Sequence, residues 1–289
     1  MKTRLSLLIT CMLIIVCFKT AIAQKENIPD SKYFPSSGES KKVAIMFLGG
    51  SEGGLPNYYN MESFTSKGYP CFMVGYFGTK NTPDQLEMIP LEYLDDAISE
   101  FQSKPEVRGK KIVVYGASKG GELALLLGSK YKEIEGIIAR VPSSVVFQGI
   151  GGRRLSSWSY NGEPVPFVPY ARFDYSKIVN NQYVELYRLS LEQTEAVEKA
   201  AIQVEIINGP ILLFSGKEDM MWPSSQMCEM IMKRLDEKGF PFQHEHIAYE
   251  NAGHSFNEHY MIGGTGEGNK RAGIDSEEKI FEFLERLSK

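Results

Sequence analysis

Cysteine, histidine and excess positive charge are all scarce in this sequence, and each scarcity narrows what the chain can do. Of only four cysteines, Cys11 and Cys17 fall in an N-terminal segment expected to be removed. Cys71 and Cys228 lie in apolar segments expected to be core, where an oxidising compartment permits a bond that a large domain does not need. The histidines also number four: His244, His246, His254 and His259. His244 and His246 have the spacing of a metal pair, but no cluster of cysteines or carboxylates accompanies them, so neither a metal nor an organic cofactor is expected. The formal net charge of −4 leaves no basic stripe for a phosphate backbone, which removes nucleic acid as an expected partner. No internal repeat and no low-complexity tract is present.

Long apolar runs are absent too, apart from one at the N-terminus. Lys2 and Arg4 precede the run Leu5 to Phe18, and Ala21-Ile22-Ala23 forms a small-residue cleavage site, so residues 1–23 read as an export signal. The run is interrupted by Thr10 and falls short of the roughly 18–20 residues a membrane span needs, which predicts a periplasmic or secreted protein with no stable span. Residues 24–42 are polar, carry Pro29, Pro35 and Gly38, and read as a surface leader.

From Val43 the chain alternates between strand-like and helix-like segments. Apolar runs at Val43–Leu48, Tyr69–Tyr76, Lys111–Tyr115, Ile134–Val141, Pro210–Phe214 and Phe242–Tyr249 are apolar on both faces, the mark of a parallel sheet covered on both sides. Between them Leu91, Leu94, Ile98 and Phe101 repeat at helical spacing, as do Ile280, Phe283, Leu284 and Leu287. Asp275 and Glu278 have capping-box spacing and predict the start of the last helix. Met227, Met230, Ile231 and Leu235 define another, opened by Pro223-Ser224 and stopped by Gly239. Residues 145–207 break the alternation with glycines, prolines and the aromatics Trp158, Phe167 and Tyr170, and read as an insertion that covers an active site as a lid. The fold class is therefore α/β, as one domain over residues 43–289.

Chemistry concentrates where a strand meets a helix. Lys111 to Tyr115 runs into Gly116-Ala117-Ser118-Lys119-Gly120-Gly121, a G-x-S-x-G in strand–turn–helix context, which makes Ser118 the candidate nucleophile. A serine needs a base, and His254 follows the last apolar strand in a loop, where such a base is delivered. His244 and His246 are expected on one solvated strand face, and His259 on the surface or against the lid. The orienting acid must lie between serine and histidine in chain order; Asp219, in the loop after Phe214, is the candidate, with Glu218 as the alternative. A lesser role for Asp219 is to cap the helix after Pro223. Oxyanion donors are expected from the backbone N–H of Lys119 and, after the first strand, from Gly50 or Ser51 in the glycine-rich stretch Gly49 to Gly54.

These motifs, with Ile89-Pro90-Leu91-Glu92-Tyr93-Leu94, Asn251-Ala252-Gly253-His254, Trp222-Pro223-Ser224 and Gly263-Gly264, resemble the C-terminal catalytic domain of acyl-CoA thioesterases and bile acid-CoA:amino acid N-acyltransferases. The resemblance implies an α/β-hydrolase fold and a triad of Ser118, Asp219 and His254. Acyltransferases of that family use cysteine as nucleophile, so Ser118 favours hydrolysis of a small-molecule ester or thioester over transfer to an amine or alcohol. A ligand-binding protein without turnover is the reading from another class. The oligomeric state is not legible.

Overall fold

The computed structural model describes residues 30–180 and 182–289; the expected export segment, and the leader up to Pro29, lie outside them. Strand β1 (Asp30–Phe34) precedes β2 (Val43–Leu48), α1 (Met61–Thr65), β3 (Cys71–Gly75), β4 (Ile89–Pro90), α2 (Glu92–Ser103) and β5 (Lys111–Ala117). There follow α3 (Lys119–Lys130), β6 (Ile134–Arg140), β7 (Trp158–Tyr160), β8 (Glu163–Pro164), α4 (Val184–Leu191) and α5 (Thr194–Ala200). The chain ends with β9 (Ile211–Gly216), α6 (Ser224–Glu237), β10 (His244–Tyr249) and α7 (Gly266–Ser288).

Seven strands form the main sheet in the order β1-β3-β2-β5-β6-β9-β10, parallel throughout except for the antiparallel edge strand β1 on β3. The two-residue period of a strand explains how the sheet is clothed. In β2, Val43, Ile45 and Phe47 point to a core shared with α1 and α7, while Ala44, Met46 and Leu48 point to a core shared with α2, α3 and α6. All six are fully buried, which is why this strand reads as one unbroken apolar run. Cys71 and Cys228 belong to the cores on opposite faces of the sheet, and both are free thiols.

Two expectations are corrected. Residues 30–34 are not an unpacked leader, because they pair along β3 and Tyr33 donates a hydrogen bond to Glu106 (2.7 Å). An edge strand is held by backbone bonds and needs no apolar alternation. The final helix begins at Gly266, not near Asp275: Thr265 caps it by accepting from Gly268 N–H (3.0 Å). Asp275 sits inside the helix, accepting from the Tyr249 hydroxyl (2.7 Å).

The segment 145–207 contributes β7 and β8, which join β4 in a small second sheet, and the helices α4 and α5. It has its own apolar cluster, in which Val145, Phe147, Val168, Tyr187 and Ala200 pack on Trp222 and Met227.

Candidate active site

The carboxyl ends of β2, β5, β6, β9 and β10 lie along one edge of the main sheet, where a parallel sheet presents its loops to a ligand. Ser118 follows β5 with φ 55° and ψ −122°, a strained backbone for a non-glycine residue. A Cβ on Gly116 would strike the carbonyl of Gly120, and one on Gly120 would strike the carbonyls of Gly49 and Leu48. Only glycine permits so tight a turn at these two positions. The Ser118 N–H donates to the Arg140 carbonyl (2.9 Å), which ties the turn to the end of β6.

Three side chains meet there in a line. Ser118 Oγ lies 2.9 Å from His254 Nε2, and His254 Nδ1 lies 2.9 and 3.1 Å from Asp219 Oδ2 and Oδ1. A carboxylate only accepts, so Nδ1 holds the proton and Nε2 is free to take one from the serine. Asp219 is buried and also accepts from the N–H groups of Met221 (2.9 Å) and Trp222 (3.3 Å) and from Ser224 Oγ (2.6 Å). It therefore braces the entry to α6 as well as facing the histidine. Glu218, the alternative acid, is exposed. The edge of Trp222 stands against the imidazole, ring centroids 5.8 Å apart.

The oxyanion candidates fare differently. Lys119 is the first residue of α3, where a backbone N–H has no carbonyl one helical turn earlier. Gly50 lies beside Ser118, as a Cβ there would sit 3.4 Å from the serine Cβ. Its N–H, however, already donates to Glu52 Oε1 (3.0 Å) and the Tyr58 hydroxyl (3.1 Å). Ser51 is exposed and lines the cavities on both sides of this loop.

Of the aromatics assigned to a lid, Tyr170 alone lines the cavity of about 820 Å³, together with Tyr183, Tyr187 and Met221. Trp158 is instead fully buried, and its indole N–H donates to Glu122 Oε1 (2.8 Å). Phe167 packs against the core under α2 and α3 and borders a surface hollow with Pro164 and Lys199. Both aromatics fill the seam between insertion and domain because large apolar rings are the means of anchoring it.

The remaining histidines lie apart from the triad. His244 and His246 share one face of β10, as expected, but α6 half-covers it rather than leaving it solvated: His244 Nε2 is 3.0 Å from Asp236 on α6, and His246 Nε2 is 2.8 Å from Ser215 Oγ, which in turn meets Ser225 on α6. Burial lowers the His246 pKa. His259 is on the surface. Among the described residues no group of three or more His, Cys, Asp or Glu is placed to hold a metal ion, and no helix is long and apolar enough to cross a membrane.

Sequence reasoning missed three features. Lys119 and Glu122 form an ion pair (2.9 Å) buried behind the elbow, with Ser157 Oγ accepting from the lysine (2.9 Å). Burial pushes the Lys119 pKa down and the Glu122 pKa up. Asn269, fully buried on α7, accepts from Gly253 N–H (2.8 Å) and donates to the Gly263 carbonyl (3.1 Å), pinning the loop that carries His254. Arg140 lines the cavity of about 680 Å³ that Ser118 and His254 open into. A buried polar residue on an apolar helix face, or a charge ending an apolar strand, was the available signal.

Known proteins resemble the chain in sequence and in shape. The family model described as BAAT / Acyl-CoA thioester hydrolase C terminal matches residues 89–284. Human acyl-coenzyme A thioesterase 1 is 29% identical over 221 residues, covering 76% of this chain and 50% of that protein. Mouse mitochondrial acyl-coenzyme A thioesterase 2 is 30% identical over 210 residues, covering 73% and 44%. The chain thus spans about half the length of these relatives. Among solved structures, an acylaminoacyl peptidase in complex with Z-Gly-Gly-Phe-chloromethyl ketone aligns with TM-score 0.58 and 19% identity, over 90% of this chain and 40% of that one. The monoacylglycerol lipase of Paleococcus ferrophilus aligns with TM-score 0.55 and 14% identity, over 90% and 99%. At such identities the likeness speaks to the fold alone. The extent of the family match and the shared architecture make the conclusion direct: this chain has the α/β-hydrolase fold and belongs to the BAAT/acyl-CoA thioester hydrolase C-terminal family.

Proposed function

We propose that the chain is a serine acyl hydrolase that cleaves a small-molecule ester or thioester through an acyl-enzyme on Ser118. The observation that carries this reading is the unbroken line from Ser118 Oγ through the His254 ring to Asp219, each step at 2.9 Å. In the first half-reaction the serine oxygen bonds to the substrate carbonyl carbon while its proton passes to His254 Nε2. The imidazolium, stabilised by Asp219, returns that proton to the leaving oxygen or sulfur as its bond to carbon breaks. In the second half-reaction water attacks the acyl carbon, its proton again goes to Nε2, and Ser118 leaves protonated with release of the free acid. The Lys119 N–H donates to the developing oxyanion. Gly50 N–H joins it once Glu52 has given way to the substrate.

Relatives named as acyl-CoA thioesterases support a thioester, and the cavity beside Tyr170 and Tyr187 supports an apolar acyl group beneath the insertion, which acts as the lid. Residues 1–23 direct export, and N-terminal sequencing of the exported protein is expected to start at Gln24. The central test is labelling with a fluorophosphonate probe alongside hydrolysis of p-nitrophenyl esters and acyl thioesters of graded length. Wild-type protein is expected to be labelled and to turn over, and Ser118→Ala to do neither while remaining folded. A wild-type protein inert in both assays overturns the reading.

A further inference from the structure

Arg140 ends β6 directly behind the elbow, where its carbonyl receives the Ser118 N–H (2.9 Å). Its side chain lines the same cavity as Ser118 and His254. Among the described residues the guanidinium has no carboxylate within 4.0 Å and no side-chain hydrogen bond, although other arginines such as Arg234, Arg153 and Arg188 are paired with glutamates. Its surroundings are aromatic: its guanidinium carbon stands 5.9 Å from the Phe256 ring centroid, and Tyr58, Phe256 and Tyr260 line the cavity with it. Glu52, the carboxylate in the cavity wall, is engaged with Gly50 N–H instead.

A guanidinium taken partly out of water without a counter-charge is costly, and five N–H donors in a planar fork match a carboxylate in two parallel bonds. We propose that Arg140 is a specificity-determining residue that binds a carboxylate carried by the substrate a few bonds from the scissile carbonyl. The inference rests on the hydrolase reading above and adds a substrate class to it. Because Arg140 and Ser118 line one cavity, the carboxylate is placed in the same small molecule as the reacting carbon and within that cavity. The carboxylate belongs to a half-ester of a dicarboxylic acid or to an ester of a hydroxy acid.

The experiment compares matched charged and neutral substrates. Monoethyl glutarate against ethyl glutaramate places the charge on the acyl side, and O-butyryl glycolate against O-butyryl glycolamide places it on the alcohol side. Wild-type protein is expected to favour the carboxylate in one of the pairs by about 10- to 100-fold in kcat/KM, the range of a charge-assisted hydrogen bond. Arg140→Gln is expected to abolish that ratio, and Arg140→Lys, which keeps a charge without the fork, to retain part of it. A ratio is insensitive to loss of folded protein, which lowers both rates alike. Calorimetric binding of each of the four esters to Ser118→Ala protein, with and without Arg140→Gln, reads the anion site without turnover, so failure of hydrolysis alone overturns the hydrolase reading and leaves this one to stand or fall on the difference in binding between charged and neutral esters. No preference for the carboxylate in either pair, or a preference and a binding constant unchanged by Arg140→Gln, overturns the proposal.

Discussion

Replacing Lys119 by methionine removes one charge from the buried pair behind Ser118 and leaves the other in place. The two side chains are 3% and 0% exposed, so Glu122 would be left as a carboxylate with the Trp158 indole N–H as its remaining side-chain donor. Breaking such a pair from one side costs about 3–5 kcal/mol, a large part of the roughly 5–15 kcal/mol that holds a domain together. The loss should depend on pH in a defined direction. Burial already raises the Glu122 pKa above 4.5 in the folded protein, and without Lys119 it rises further. A raised folded pKa means that the unfolded chain releases its proton first, so stability falls as pH climbs from 4.5 through the folded value. The deficit of Lys119→Met is therefore small in acid and full near neutrality. The double variant Lys119→Met/Glu122→Met, which leaves no charge behind, should recover most of it. Urea unfolding at pH 4.5 and pH 8 measures all three proteins. A single variant within about 1 kcal/mol of wild type at pH 8, or a double variant no better than the single, refutes the reasoning.

Two further outcomes follow from the geometry. Asp219→Asn should lower turnover by roughly 10³- to 10⁴-fold near neutral pH, because an amide nitrogen toward His254 Nδ1 favours the wrong tautomer; Glu218→Gln, altering an exposed side chain, should change kcat/KM little, and the reverse pattern would reassign the acid. Asn269→Ala should reduce kcat far more than it raises KM, since it releases Gly253 N–H and the Gly263 carbonyl and with them the position of His254. Steady-state kinetics on the best ester checks both.

What could be read from the sequence was whatever a period or a short motif expresses. Five of the six apolar runs are strands buried along both faces, the sixth, β10, is an only partly covered edge strand, and the elbow announces itself through steric demands that Gly116 and Gly120 meet. What escaped was encoded by pairing between distant segments. The strand at Asp30–Phe34 draws its bonds from β3 and carries an ordinary polar sequence. The first turns of α7 bury Gly268, Asn269, Ala272 and Ser276, small or polar residues that a hydropathy period cannot register. Trp158 looked like a lid aromatic because nothing local reveals that Glu122, thirty-six residues earlier, takes its N–H. Arg140 carried only the weak signal of a charge after the buried run Gly136 to Ala139.

These distant pairings divide the site into two separately supported halves. The serine is fixed by the strained elbow, by the Arg140 carbonyl and, from behind, by the Lys119–Glu122 pair with Ser157 and Trp158. The acid and base are fixed to each other by backbone: Asp219 bridges to Gly263, Ala252 bridges to Gly264, and His254 N–H donates to the Ile262 carbonyl (3.0 Å). That crossing is tight enough that a Cβ on Gly263, at φ 86°, would run into the Glu218 carbonyl, so the two loops are in direct backbone contact. Perturbing Asn269 shifts the base relative to an undisturbed serine, whereas perturbing Lys119 loosens the serine beneath an undisturbed Asp219–His254 pair. The Ser118–His254 hydrogen bond is the junction between the halves. Residues 145–207 touch both halves: Ser157 and Trp158 meet Lys119 and Glu122, while Tyr187 packs on Trp222 and the Val184 N–H donates to the Met220 carbonyl (3.1 Å).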